Sequence, residues 1–198
     1  MTMTPWLLLD YGDVISLPYD EEVGAEVARL LDLAPEELME RYWVNRVHLD
    51  SGLPTAPYWS GVAGRDVTED EAAKLDAVDL NGWARTNAEV LALVEEQRAA
   101  GVRLALLSNA PHVQADAFEQ VAWAVGFERI FVSARLGLVK PDPAIFQHVL
   151  DELGAPADEV TFVDDRAANV EAAASLGIRA LLFTGVDDLR VALGHPAG

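Results

Sequence analysis

Trp6-Leu7-Leu8-Leu9-Asp10-Tyr11-Gly12-Asp13-Val14 runs from four apolar residues into a carboxylate, with a glycine two positions later. A short, continuously apolar run bounded by turn residues reads as a strand buried on both faces. A carboxylate at the carboxyl end of such a strand is held rigidly at the mouth of a sheet, where a nucleophile or metal ligand belongs. Taken alone, Asp-x-Gly also describes an ordinary exit from strand to turn, because both residues favour turns. The rest of the chain decides between the two readings.

Beyond residue 86 apolar strands alternate with amphipathic helices. Strands are predicted at 102–107, 129–132, 160–163 and 178–183, with helices at 86–100, 111–125, 143–153, 166–176 and 187–193. Together with 6–9 this gives an α/β fold, a doubly wound five-stranded parallel sheet of Rossmann-like type covered on both faces. Between 16 and 85 no strand-like run occurs; helices are predicted at 20–31, 35–49, 57–63 and 68–77, the second beginning well with Pro35. The economical reading is a helical cap, 16–81, inserted into a core made of 1–15 and 82–198, with Leu17-Pro18 and Asn81-Gly82 as hinges.

Composition narrows the chemistry. A chain of 198 residues, 51% hydrophobic and 24% charged, can bury a substantial core with one small insertion. Its formal net charge of −19 sets a field that repels nucleic acid and anionic membrane, so neither is expected as a partner. The same field opposes phosphorylated metabolites, and a site for one must carry its own cation. Absence of cysteine excludes disulfides, thiolate zinc sites and a cysteine nucleophile. No apolar run approaches the roughly 20 residues of a membrane span. Met1-Thr2-Met3-Thr4-Pro5 lacks the basic region of a secretory signal, so a cytoplasmic monomer or homodimer is expected.

Four polar pieces fall where four segments of the predicted sheet end. They are Asp10, Ser108-Asn109, Lys140 in Leu138-Val139-Lys140-Pro141-Asp142-Pro143, and Asp164-Asp165. Carboxyl ends of strands in a doubly wound sheet share one crevice. A nucleophilic carboxylate, a hydroxyl and amide, a cation and further carboxylates for a hard metal are the parts of phosphoryl transfer through an aspartyl intermediate.

In these motifs, their order and the helical insertion, the chain resembles the haloacid dehalogenase superfamily over nearly its whole length. Val163-Asp164-Asp165-Arg166-Ala167-Ala168-Asn169 is part of that resemblance. Within the superfamily it is most similar to sugar-phosphate phosphatases and the phosphatase domain of soluble epoxide hydrolases. The resemblance implies a magnesium-dependent phosphomonoester hydrolase acting on a small phosphorylated metabolite such as a sugar phosphate. Asp10 would be nucleophile and magnesium ligand, joined by the Gly12 carbonyl and Asp165, with Asp164 orienting the site. Ser108 and the Asn109 amide would hold phosphate oxygens, and Lys140 would neutralise Asp10 and the transferring group. Asn169 reads as a structural hydrogen bonder.

One position departs from the family. Most phosphatases of this kind carry a second Asp two residues after the nucleophile, which protonates the leaving alkoxide; here that position is Gly12. Asp13 is one residue off, and a positive φ is one reason for glycine at position 12. The gap keeps two other readings open: a silent binder of a phosphorylated ligand, and a 2-haloacid dehalogenase. Against the dehalogenase reading, this chain lacks the Asp-x-Tyr-Gly-Thr motif and the following Arg usual in those enzymes. Substrate choice is expected from the cap, where Arg46, Tyr58 and Trp59 are candidates beside Tyr42 and Trp43, with His112 at the entrance. The competing reading makes these aromatics the core of the cap and His48 a surface residue.

Overall fold

The computed structural model describes residues 5–194; the first four residues, on which the expected location partly rests, lie outside them. Its strands are β1 (Trp6–Leu9), β2 (Arg103–Ser108), β3 (Arg129–Val132), β4 (Val160–Asp164) and β5 (Arg179–Leu182). Between Asp20 and Trp83, among the described residues, lies a block of five α-helices: α1 (Glu21–Leu30), α2 (Pro35–Val44), α3 (Arg46–Asp50), α4 (Thr55–Ala63) and α5 (Glu69–Gly82). Those of the alternating half are α6 (Ala88–Ala99), α7 (His112–Phe118), α8 (Ser133–Leu136), α9 (Pro143–Leu153), α10 (Ala167–Ser175) and α11 (Val186–Ala192).

All five strands are parallel, in the order β3-β2-β1-β4-β5. Side chains of successive strand residues point to opposite faces. Leu7 and Leu9 therefore pack with Val90, Leu93 and Phe118 on one side, while Trp6 and Leu8 pack with Ile145, Phe146 and Val149 on the other. The chain moves outward from β1 to β3, then returns to β4 on the other side of β1. Strand order reverses between β1 and β4, and ligands bind at such a switch point. Leu9 is in register with Val163, and Asp10 N–H donates to the Val163 carbonyl at 2.9 Å, so Asp10 and Asp164 emerge side by side.

The helical block has its own apolar centre, built from Val27, Leu38, Tyr42, Tyr58, Trp59, Val62 and Leu75. A capping box between Thr68 and Glu71 starts α5, and Pro35 occupies the first turn of α2. Three boundaries differ from the sequence expectation. The helix expected over 35–49 divides at Asn45, whose φ of −104° and ψ of 1° interrupt α2 and begin α3. Asn competes with the helix by local hydrogen bonding, which suits it to such a break. The segment expected as one helix over 111–125 is α7 followed by a separate 3-10 turn, Ala122–Gly126. Helix α5 runs on to Gly82.

The two strands of chain that join this block to the sheet lie side by side. Ser16 pairs with Thr86, Leu17 N–H donates to the Arg85 carbonyl at 2.9 Å, and Asp20 forms an ion pair with Arg85 at 3.1 Å. Gly82 sits against Tyr19, and a Cβ there would lie 2.3 Å from Tyr19 Cε2. That ring is not free to turn aside, because its hydroxyl donates to Asp79 at 2.8 Å and its face meets Trp83. Gly82→Ala is expected to destabilise the fold by about 1–3 kcal/mol, as overpacking does. Urea denaturation measures it; an unchanged midpoint would mean that the Tyr19 contact yields without strain.

Candidate active site

Lys140 lies at the bottom of the site, buried, with its three ammonium hydrogens directed at three oxygens. Nζ is 2.8 Å from Asp10 Oδ1, 2.7 Å from Asp164 Oδ2 and 2.9 Å from the Leu107 carbonyl. Burial works against its charge, but the flanking carboxylates outweigh burial and hold the ammonium above its ordinary pKa. Asp10 is the converse case. Burial pushes its carboxyl up, Lys140 pulls it back and Asp164 raises it again, leaving it above the ordinary value. A second donor, Tyr11 N–H at 2.7 Å, meets the same Oδ1 and fixes the plane of the carboxylate.

Asp164 is fully buried and its oxygens are committed. Besides Lys140 it accepts from Arg166 N–H at 2.8 Å and from Asn169 Nδ2, 2.9 Å from each oxygen. Asn169 reaches out of α10 for this purpose. Asp165 is half-buried, and its carboxyl is raised by burial, by Asp164 and by Asp13. Ligand-capable oxygens of Asp10, Asp164 and Asp165 fall within 4.8 Å of one another. Of the three, Asp10 and Asp165 line the cavity and Asp164 stands behind them. Two accessible carboxylates with neighbouring backbone carbonyls and room for water suit a hard, octahedral cation, and clustered carboxylates gain from one.

The cavity of about 460 Å³ brings together Asp10, Gly12, Asp13, Ser108, Asn109, Lys140 and Asp165. The Asn109 side chain is tied to the Lys140 backbone by a reciprocal pair, Nδ2 to the Lys140 carbonyl and Lys140 N–H to Oδ1, both 2.9 Å. It therefore positions the lysine. Gly12 has φ −60° and ψ 130°, and an added Cβ would meet only Trp83 Cζ3, at 3.9 Å. The positive φ expected for this glycine is absent. It belongs to Asp13, at 55°, an exposed residue whose N–H donates to Ser16 Oγ. Asp tolerates that left-handed conformation better than most residues.

The cap residues are distributed differently from the sequence expectation. Tyr58 and Trp59 lie in the cap core, bonded to the Tyr42 carbonyl and to Asp76, and neither lines the cavity. His112 is exposed at the start of α7 and outside the lining; Gln114 is the residue of that helix that enters it. Arg46 does line the cavity, but Asp50, Asp79 and the Tyr42 hydroxyl surround its guanidinium. With its hydrogen-bonding atoms already committed to these groups, it is not a free anion receptor. Trp43, one of the aromatics the sequence offered, does line the cavity; Val47, Asp50 and Trp83 were not among the sequence candidates for substrate contact, and with Trp43 they form the cap side. The four-residue spacing of Arg46 and Asp50 on one helix was the signal for Asp50.

Similarity to known proteins agrees with this arrangement. The family described as haloacid dehalogenase-like hydrolase matches residues 13–177, and the chain belongs to it. It is 28% identical over 200 residues, 96% of its own length, to drimenol cyclase drtB of Aspergillus calidoustus. To sesquiterpene phosphatase astK of Aspergillus oryzae it is 35% identical over 52% of the chain. The chain spans 37% of the length of the first and 53% of the second. Phosphatase MT3486 of Mycobacterium tuberculosis is 28% identical over 79% of the chain and 76% of its own length. Among solved structures, a haloacid dehalogenase family enzyme of Bacteroides thetaiotaomicron in complex with magnesium and inorganic phosphate superposes with TM-score 0.72 at 23% identity, covering 91% of this chain and 94% of that one. The chain is thus a hydrolase of this family with phosphatases among its relatives, and no described helix is long and apolar enough to cross a membrane.

Removing the cation tests the electrostatic reading of the site. Lys140→Met strands two buried carboxylates, and a loss of about 3–5 kcal/mol in unfolding free energy is expected at neutral pH. A denaturation midpoint equal to that of the wild type would show that Asp10 and Asp164 do not depend on the ammonium.

Proposed function

We propose that the protein is a magnesium-dependent phosphomonoester hydrolase that works through an aspartyl-phosphate intermediate on a small phosphorylated metabolite. The observation that carries this reading is the Asp10–Lys140 pair at the switch point of the sheet, 2.8 Å apart, opening into the same cavity as Asp165. A carboxylate with an ammonium beside it and no competing apolar cover is a nucleophile whose approach to a phosphate dianion is locally neutralised.

Each residue then has a role. The Asp10 carboxylate attacks phosphorus in line, Lys140 offsets negative charge at the attacking oxygen, and Ser108 with the Asn109 backbone N–H holds phosphate oxygens. Asp10, the Gly12 carbonyl and Asp165 would hold magnesium, which when bound supplies positive charge to the phosphate oxygens. Asp164 and Asn169 keep Lys140 in place from beneath. The volume of about 460 Å³ suits a small metabolite, and Trp43, Val47 and Trp83 offer its organic part an aromatic and apolar wall. Such a wall accommodates one face of a sugar ring or a hydrocarbon group.

The test is release of phosphate from p-nitrophenyl phosphate. Expected results are loss of activity in chelator, recovery with added magnesium, and abolition by Asp10→Asn in a protein that keeps its circular dichroism and melting temperature. Undiminished rates in chelator would refute the metal assignment, and undiminished rates in Asp10→Asn the covalent route. No turnover of any phosphomonoester by the wild type, with phosphate still binding, would support a silent binder instead.

A further inference from the structure

Gly12 leaves the proposed reaction without its usual proton donor, and nothing local requires a glycine there: its φ is negative and a Cβ has space. The direction of the reaction says where a donor must stand. Attack by Asp10 comes from the end of the sheet, so in an in-line displacement the leaving oxygen departs on the opposite side, toward the cap. On that side one carboxyl group lines the cavity from the cap: Asp50, at the last turn of α3.

Asp50 is built into place. Its Oδ1 accepts from Arg46 Nε at 2.8 Å, while Oδ2 has no hydrogen-bond partner among the described residues. Arg46 is itself held by Tyr42 and Asp79. The Asp50 carbonyl accepts from Ser133 Oγ at 2.6 Å, and Ser133 Oγ accepts from Ala110 N–H at 2.9 Å, one residue beyond Asn109. The end of α3 is thereby fastened to the loop that follows β2. Around the carboxyl stand Arg46 from its own helix and Arg166 and Lys140 from the core; burial outweighs their pull and raises its pKa above the ordinary carboxyl value.

We propose that Asp50, carried by the cap, gives the leaving oxygen its proton, the part that Gly12 cannot play. This rests on the phosphatase reading above. In the first half-reaction the Asp10 oxygen bonds to phosphorus, the bond from phosphorus to the alkoxy oxygen breaks, and that oxygen takes the Asp50 proton to leave as an alcohol. In the second, the Asp50 carboxylate takes a proton from water, the hydroxide bonds to phosphorus, and the bond from phosphorus to Asp10 breaks. Phosphate leaves and both carboxyl groups return to their starting states. Asp13 is the competing donor, but it is exposed and lies beside Asp165, at the sheet end of the cavity.

The experiment compares phenethyl phosphate, whose alkoxide needs a proton, with p-nitrophenyl phosphate, whose phenolate leaves without one. In Asp50→Asn the carboxamide oxygen still accepts from Arg46, and phenethyl phosphate turnover is expected to fall about 10²–10⁴-fold, the usual contribution of a general acid. With p-nitrophenyl phosphate the steady rate also falls, because water activation is lost, but a stoichiometric burst of p-nitrophenolate persists. Asp13→Asn should produce no such split. A phenethyl phosphate rate within about threefold of wild type in Asp50→Asn, loss of the burst in a folded variant, or the split appearing in Asp13→Asn overturns the assignment. Asp50→Glu gives a second arm, because it keeps a carboxyl group on the same helix: it should retain at least about tenfold more phenethyl phosphate turnover than Asp50→Asn, and equal rates in the two variants would overturn the assignment. Failure of the wild type to hydrolyse p-nitrophenyl phosphate would instead remove the phosphatase reading, and this inference with it.

Discussion

One buried ammonium between two buried carboxylates organises this molecule. Lys140 touches Asp10 at 2.8 Å and Asp164 at 2.7 Å, and none of the three tolerates the loss of the others in a site so withdrawn from water. The sheet makes the arrangement possible: parallel registration of β1 with β4 delivers the two carboxylates together, and the Asn109 clamp brings in the lysine from a third segment. The net local charge is negative, on a chain that is strongly acidic overall. A dianionic ligand therefore needs a further cation, which is the physical case for a divalent metal beside Asp165.

Much of this was legible in the residues. Apolar runs ending in Asp10, Ser108 and Asp164 marked the strands and the polar crevice at once, because a buried strand and its exit turn leave opposite compositional signatures. The alternation after residue 86 gave the parallel sheet for the same reason. What did not show was orientation within the helical block. Tyr58, Trp59 and Tyr42 are as aromatic as Trp43 and Trp83, and helical spacing alone does not say which of them face inward. The break at Asn45 turns the decision, since it separates α2 from the short helix that bears Arg46 and Asp50. Gly12 was misread for a related reason. Glycine suggests a positive φ, yet the turn places that conformation on Asp13, and backbone angles one residue apart leave no trace in composition.

Arg46 shows how burial changes the meaning of a charge. A lone arginine in a cap invites the reading of an anion receptor. Enclosed by Asp50, Asp79 and Tyr42, it instead holds the Asp50 carboxyl group in position, and the rest of the cap side of the cavity is aromatic and apolar rather than basic. In the proposed reaction, recognition of the phosphate and recognition of its organic group would thereby be divided between two walls of one cavity.

The paired connections at Ser16–Thr86 and Leu17–Arg85 have a consequence for how such a protein diversifies. Because the insertion leaves and re-enters the core at adjacent points, the sheet experiences it as a short closed loop, whatever its length. Closure entropy grows only slowly with the number of residues enclosed, and insertions are tolerated where their ends already lie together. A different helical block, longer or shorter, can be spliced at the same junction without altering the registration of the strands. Descent within this lineage can therefore exchange the cavity's outer wall wholesale, by replacing one contiguous piece of coding sequence, while Asp10 and Lys140 stay where the sheet puts them.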